Sequence, residues 1–284
     1  MTSLDVKIWL RKWLPPPVLQ AYVGIRGRRG LRIDWTGNYD SWETARRDST
    51  GYDRLTILRT VQDSMRRVRD GQVAYERDGV VFASIQHAFP VVAGLLRTAL
   101  QDHGRLAVMD FGGSLGTSYY QCRGLLRDVV GDLRWGIVEQ PHFVKCGREE
   151  FETPELTFFD SATTCVEAIR PNVLLFSGVL QFVDKPGDIL NALLAHRISS
   201  VIIDRIQVLE DDAPDRLTVL RVSHEEVGRR ESYPTWLFNK RNLLSPFAAE
   251  YATVLEFDSG MGRFDAGGSQ ARDLGFLFTL KDHG

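Results

Sequence analysis

From Arg105 onward, short apolar runs and amphipathic stretches alternate along the chain. Leu106–Phe111 is an apolar run that ends in a glycine-rich turn, and a helix is expected over 118–130. Leu133–Glu139 predicts the next strand, with a helix over 142–150. Leu156–Phe159 and Val173–Ser177 predict a third and a fourth, the latter followed by a helix over 186–196, and Ser200–Ile203 a fifth. Such alternation makes a mostly parallel sheet with helices on both faces. Thr253–Phe257 and Gly275–Leu280 predict a terminal antiparallel pair, joined by a mobile loop containing Gly260, Gly262, Gly267 and Gly268.

The first third is patterned differently. Apolar residues recur every three or four positions over 53–70 and 84–102, the period of helices. Ser41 suits a helix N-cap, and Trp35, Tyr39 and Trp42 suit packing of an appendage. The boundary is set near residue 104, giving a basic, amphipathic and helical accessory region over 1–103 and a main domain over 104–284.

Charge sharpens this picture at one end. Between Val6 and Ile33 there are seven Lys or Arg and no acidic residue, although the whole chain carries a net charge of −2. On a helix, Val6, Trp9, Leu10, Trp13 and Leu14 share one face, with Lys7, Arg11 and Lys12 opposite, until Pro15 ends it. This fits peripheral contact of residues 6–33 with an anionic membrane; packing of the tryptophans onto the core is the alternative. No apolar run approaches the roughly 18 residues of a membrane span. Three cysteines without a C-x-x-C pair argue against disulfides and a metal site, and suit a cytoplasmic protein. The overall charge argues against a nucleic-acid partner.

The candidate chemistry centres on Asp110-Phe111-Gly112-Gly113-Ser114-Leu115-Gly116. A glycine turn between strand and helix lets a ligand approach the backbone. The G-x-G-x-x-G spacing of dinucleotide folds is missing, and Asp110, read as pointing into the ligand space, repels phosphate while suiting an ammonium group. That favours S-adenosylmethionine over a nicotinamide cofactor. Glu139 follows Asp110 by 29 residues, about one βαβ unit, where a carboxylate can accept both ribose hydroxyls. Asp160 and Ser161 end the third strand, where methyltransferases that this pattern resembles often place an acidic residue against the adenine amino group. Three acidic residues thus fall at successive strand ends, where open α/β sheets bind ligands.

The chain resembles the methyltransferases of bacterial surface-polysaccharide gene clusters. The resemblance rests on Gly37–Trp42, Asp110–Gly116, Ser118–Gln121, Trp135–Pro141, Ser177–Phe182, Ile203–Arg205 and Ser232–Pro234. Asp110, Gly112 and Gly116 match D/E-x-G-x-G-x-G; Ser114 replaces the middle glycine and Gly113 is extra. The resemblance implies a class I, Rossmann-like methyltransferase fold with a seven-stranded sheet, and S-adenosylmethionine as cofactor. It also implies methylation of a glycan sugar or its lipid-linked precursor, beside the inner membrane. Tyr119, Gln140 and Ser177 join the cofactor side. A sugar hydroxyl needs a general base, for which Asp204, His87, His224 and Tyr233 are candidates, while Gln181 and Arg205 are placed at the acceptor. A non-catalytic binding or scaffold protein of the same fold is the second reading, and a nicotinamide-dependent oxidoreductase the third.

Overall fold

The computed structural model describes residues 31–50, 54–77, 79–224 and 229–281. The basic segment therefore lies outside the described residues, except for its last positions. In chain order the elements are β1 (Leu31–Thr36), α1 (Trp42–Arg47), α2 (Arg54–Arg69), β2 (Tyr75–Arg77), β3 (Val80–Phe82) and α3 (Phe89–Gln101). Then come β4 (Arg105–Phe111), α4 (Thr117–Leu126), β5 (Asp132–Val138), α5 (Pro141–Glu150), β6 (Leu156–Phe159), α6 (Ala162–Ile169) and β7 (Val173–Ser177). A 3-10 turn at Leu180–Phe182 leads to α7 (Pro186–Leu194) and β8 (Ser200–Leu209). The chain finishes with β9 (Arg216–His224), β10 (Arg229–Leu237), α8 (Lys240–Leu244), β11 (Tyr251–Asp265) and β12 (Gln270–Leu280).

Seven strands form the central sheet in the order β6-β5-β4-β7-β8-β12-β11, with β12 antiparallel to both neighbours and the other joins parallel. This is the strand order of the Rossmann-like class I methyltransferase fold. The inner strands are apolar throughout because both faces are covered. Leu106 and Val108 of β4, with Val173 and Leu175 of β7, pack under α2, α3, α4 and α5. Met109, Leu174 and Phe176 pack with Ile169 of α6, Leu190, Leu193 and Leu194 of α7, and Leu243 of α8. Sequence order runs outward from β4 in both directions, so the ends of β4 and β7 flank a topological switch point, where such sheets open a crevice.

Three features depart from the sequence reading. The first third is not wholly helical: β1 pairs antiparallel with β9, which pairs with β10, in a separate three-stranded sheet. The break at residue 104 is not a structural one either. Helix α3 covers the main sheet, its Gly94 so close to Ile202 and Leu277 that a Cβ would lie 2.9 and 3.3 Å from their methyl carbons. Finally, Gly260 and Gly262 lie within β11 as an irregularity between Asp258 and Arg263, and the chain turns only at 266–269.

The small sheet is docked by apolar alternation. Leu217 and Val219 of β9 face Ala45 of α1, while Leu220 joins Trp35, Leu209, Leu237, Ala266 and Ala271 in a cluster at the upper ends of β8, β11 and β12. Trp35 stacks on Phe264 with ring centroids 4.5 Å apart and donates its indole N–H to Gln207 Oε1 at 3.2 Å. Trp35→Ala should cost about 3–5 kcal/mol, the range for truncating a buried aromatic, with Gln207 losing its donor besides. Urea unfolding of the two proteins would measure it; a loss under 1 kcal/mol would mean that β1 is not part of the folded unit.

Candidate functional site

The glycine turn occupies residues 112–116, between β4 and α4. Its backbone is left-handed at Gly112 (φ 72°), Ser114 (φ 56°) and Gly116 (φ 102°). The turn is closed on two sides: a Cβ on Gly112 would lie 2.4 Å from a Val179 methyl, and one on Gly113 would lie 2.6 Å from the Asp110 carboxylate. Ser114 holds a conformation that glycine adopts freely, at a cost of about 1–2 kcal/mol for a side chain.

Asp110 does not point into open ligand space, contrary to the sequence reading. It is 1% exposed, lies beneath Gly113 and accepts the indole N–H of the buried Trp135 at 3.1 Å. Burial pushes its carboxyl up to about 7; the Trp135 bond opposes this, the Glu139 charge adds to it and Arg205 counters it. Glu139, half-buried at the end of β5, accepts the Gln140 amide at 2.7 Å and the Ser114 amide of the turn. Burial raises its carboxyl as well, against those two backbone donors.

A third carboxylate closes the turn from the β2–β3 hairpin. Glu76, 1% exposed, accepts the Thr117 hydroxyl at 2.7 Å and the Gly79 amide at 2.7 Å. It thereby sets a negative group at the start of α4, where a helix N-terminus would otherwise hold a phosphate. Glu76 and Trp135 were not singled out from the sequence. Glu76 lies in a three-residue strand without a motif around it, and Trp135 reads as ordinary core.

The end of β7 and the middle of β8 form the opposite side, since β8 continues to Leu209 and Asp204 and Arg205 lie within it, not after it as the sequence suggested. Ser177 donates its hydroxyl to Asp204 Oδ2 at 3.0 Å, and Ser259, brought over by the β11 irregularity, donates to Oδ1 at 2.6 Å. Arg205 Nε stands 3.6 Å from Oδ2. Both carboxylate oxygens of this 5% exposed residue are engaged, so Asp204 is ill placed to act as a base. Asp204 and Arg205 form a bulge: β8 pairs Ile203 with Phe276 and Ile206 with Leu274, leaving two residues against Gly275. Arg205 takes the left-handed backbone there (φ 57°), as bulges beside functional sites do when they re-aim side chains. Its carbonyl accepts Gln181 Nε2 at 3.0 Å, which leaves Gln181 Oε1 buried without a partner.

Other predicted residues fall elsewhere. Tyr119 is fully buried, packs edge-on against Tyr120 and Trp135 and donates to Glu155 at 2.7 Å; it is core, not a cofactor contact. Ser161 caps α6 by accepting the Thr164 amide. Asp160 is exposed and lines a cleft of about 280 Å³ with Pro141, Val144, Lys145, Arg148 and Glu149. Gln140 is exposed at the N-cap position of α5, its carbonyl accepting Phe143 and Val144 amides. Tyr233 is buried in the small sheet, bonded to Glu231 and edge-on to Phe182 of the 3-10 turn. His87 is half-buried before α3, its ring tilted against Phe89 and its Nδ1 without a partner. The side chain of His224 lies outside the described residues.

The sequence matches no protein-family model and no curated protein. Among solved structures it is similar to the N-terminal domain of EvdMO1, seen with S-adenosylhomocysteine and D-fucose (13% identity, 81% of this chain and 97% of that one, TM-score 0.44). It is also similar to CalS10, an amino pentose methyltransferase from Micromonospora echinaspora (11%, 68% and 91%, TM-score 0.41). A third is the sugar N-methyltransferase KedS8 from Streptoalloteichus (12%, 67% and 87%, TM-score 0.42). At that distance they add nothing to what the strand order already says.

The raised Asp110 carboxyl has a consequence for stability. The folded chain binds a proton there that the unfolded chain has released, so this stabilisation is present below the ordinary aspartate range near pH 4 and is lost as pH rises through about 7. Asp110→Asn keeps an acceptor for Trp135 without the charge. It should be more stable than the parent by a few kcal/mol at pH 8, the gap closing toward pH 4. Urea unfolding from pH 4 to 8 checks this; a constant difference between the proteins would contradict it.

Proposed function

We propose that this chain is an S-adenosylmethionine-dependent methyltransferase whose acceptor is a sugar hydroxyl of a bacterial surface glycan or its lipid-linked precursor. The observation that carries the cofactor reading is the Glu139 carboxylate, drawn against the Ser114 amide of the glycine turn beside the switch point of the sheet. A carboxylate there can exchange its backbone donors for ribose hydroxyls. The wider charge pattern agrees. Asp110, Glu139 and Glu76 surround the turn, an arrangement hostile to a pyrophosphate and suited to a cofactor carrying an ammonium and a sulfonium. A nicotinamide cofactor is disfavoured on that ground.

The cofactor supplies a methyl group on a sulfonium, which an acceptor oxygen displaces in line. The chain's own residues have to bind, orient and exclude water. The turn at 112–116 and Glu139 are assigned to the cofactor. The 3-10 turn with Gln181, the β8 bulge and the small sheet above them are assigned to the acceptor, because they rise over the same edge of the sheet. With Asp204 held by three partners and Tyr233 bonded to Glu231, His87 is taken as the candidate base, its Nδ1 being buried without a hydrogen-bond partner. The sugar acceptor and the surface-glycan role come from the sequence resemblance. Contact of residues 6–33 with an anionic membrane would place the enzyme beside a lipid-linked acceptor. Among the described residues no helix is long and apolar enough to cross a membrane.

Calorimetric titration with S-adenosylhomocysteine tests the cofactor reading, with NAD as the control ligand. The parent chain is expected to bind the first and not the second. Glu139→Ala should weaken binding by at least about tenfold, the scale of a lost charge-assisted hydrogen bond. Equal affinity in parent and variant would remove Glu139 from the site.

A further inference from the structure

Helix α3 runs antiparallel to β8, and two contacts fix its level on the sheet. The hydroxyls of Thr98 and of Ser200, the first residue of β8, lie 2.8 Å apart. One turn back along the helix, Gly94 sits on Ile202, two residues further along the strand. Four helical residues advance about 6 Å and two strand residues about 6.6 Å, so a further turn brings Pro90 level with Asp204. Side chains two apart on a strand share a face, and Asp204 therefore projects from the face that α3 covers. The start of α3 thus stands at the β8 bulge.

The chain reaches that point from α4, where Gln121 donates its side-chain amide to the Gln86 carbonyl, and His87, Ala88 and Phe89 follow. Along α3, Val91, Val92, Leu95 and Ala99 are buried, whereas the Phe89 ring is 66% exposed. Leu100, the other exposed large apolar side chain of the helix, lies at its far end, beside the start of β4. The Phe89 ring is tilted by 41° against His87, with centroids 5.6 Å apart, and His87 Nδ1 is buried without a hydrogen-bond partner. At the bulge itself Gln181, bonded to the Arg205 carbonyl, keeps its Oε1 buried and unpartnered.

An open aromatic face at the same end of β8 as two unsatisfied polar atoms suits a ligand with an apolar face and a polar rim. A pyranose has both, with C–H groups on one face and hydroxyls around the edge. An alkyl chain would cover the ring and leave the nitrogen and the amide oxygen unpaired, which is costly in a buried setting. We propose that Phe89 is the platform on which the acceptor's sugar ring stacks, and that it selects the acceptor by the C–H face of that ring. The inference rests on the methyltransferase reading above.

The full chain, saturated with S-adenosylhomocysteine, is studied by saturation-transfer NMR with the methyl glycosides of D-mannose, D-galactose, L-rhamnose and N-acetyl-D-glucosamine, irradiating aromatic protons. For at least one glycoside, transfer should concentrate on the C–H protons of one ring face. Phe89→Ala should reduce that transfer and weaken affinity about two- to tenfold, the range of an aromatic contact, while Phe89→Trp preserves both. Tm and affinity for S-adenosylhomocysteine should be the same in parent and variants. Equal transfer in the parent and Phe89→Ala would overturn the proposal, as would no transfer from the parent to any glycoside. A loss of transfer that comes with a matching fall in Tm or in S-adenosylhomocysteine affinity would overturn it too, making Phe89 a structural residue. In each of those cases the parent still binds S-adenosylhomocysteine and the cofactor reading stands; failure of the parent to bind it removes both.

Discussion

The buried Asp110 carboxylate is the constraint around which this end of the molecule is arranged. An acid at 1% exposure with one neutral donor is unfavourable in its charged form, and its surroundings follow from that. Trp135 is held across the β4–β5 pair so that its indole reaches the carboxylate. Position 113 is glycine because any side chain would enter the carboxylate. A fold selected for stability alone would place asparagine or an apolar residue here, so retention of the acid is best explained by a ligand that brings positive charge.

The same reasoning links the fold to the choice of cofactor. Glycine turns at the first strand of a doubly wound sheet serve phosphate when the helix N-terminus is left open. Here Glu76 reaches that terminus from the hairpin and bonds Thr117, while Glu139 takes the turn's Ser114 amide. Two carboxylates, Glu76 and Glu139, thus take donors at the turn and the start of α4. The β2–β3 hairpin of the first third contributes a carboxylate to this end of the sheet as directly as β5 does.

Much of this was legible in the sequence, and the exceptions have physical causes. The strands from 105 to 203 read clearly because two-sided burial makes them apolar runs, and β6 and β7 appear over the same residues as expected from their patterning. The small sheet was missed because β9 alternates Leu217 and Val219 with Leu220 between two separate clusters, and because its partner β1 lies some 180 residues away in sequence. Gly260 and Gly262 suggested a loop, since glycine is usually a breaker, yet they serve an irregularity that carries Ser259 to Asp204. Strand-end positions were legible; the direction of a side chain was less so, for Tyr119 enters the core, while Asp160 stays exposed in a cleft that starts at Pro141.

The acceptor side shows why residue type alone is a poor guide to a general base. Asp204 has the right chemistry but stands in the middle of β8, where Ser177, Ser259 and Arg205 engage both of its oxygens. A carboxylate with both oxygens engaged in this way serves as a brace for the β8 bulge. That bulge in turn aims the Arg205 carbonyl at Gln181, fixing the amide so that its oxygen is the atom left unpaired. An unpaired buried acceptor costs about 1–3 kcal/mol, and a donor supplied by the acceptor molecule would recover it. On this view Asp204 and Arg205 act through the bulge, which fixes the orientation of Gln181.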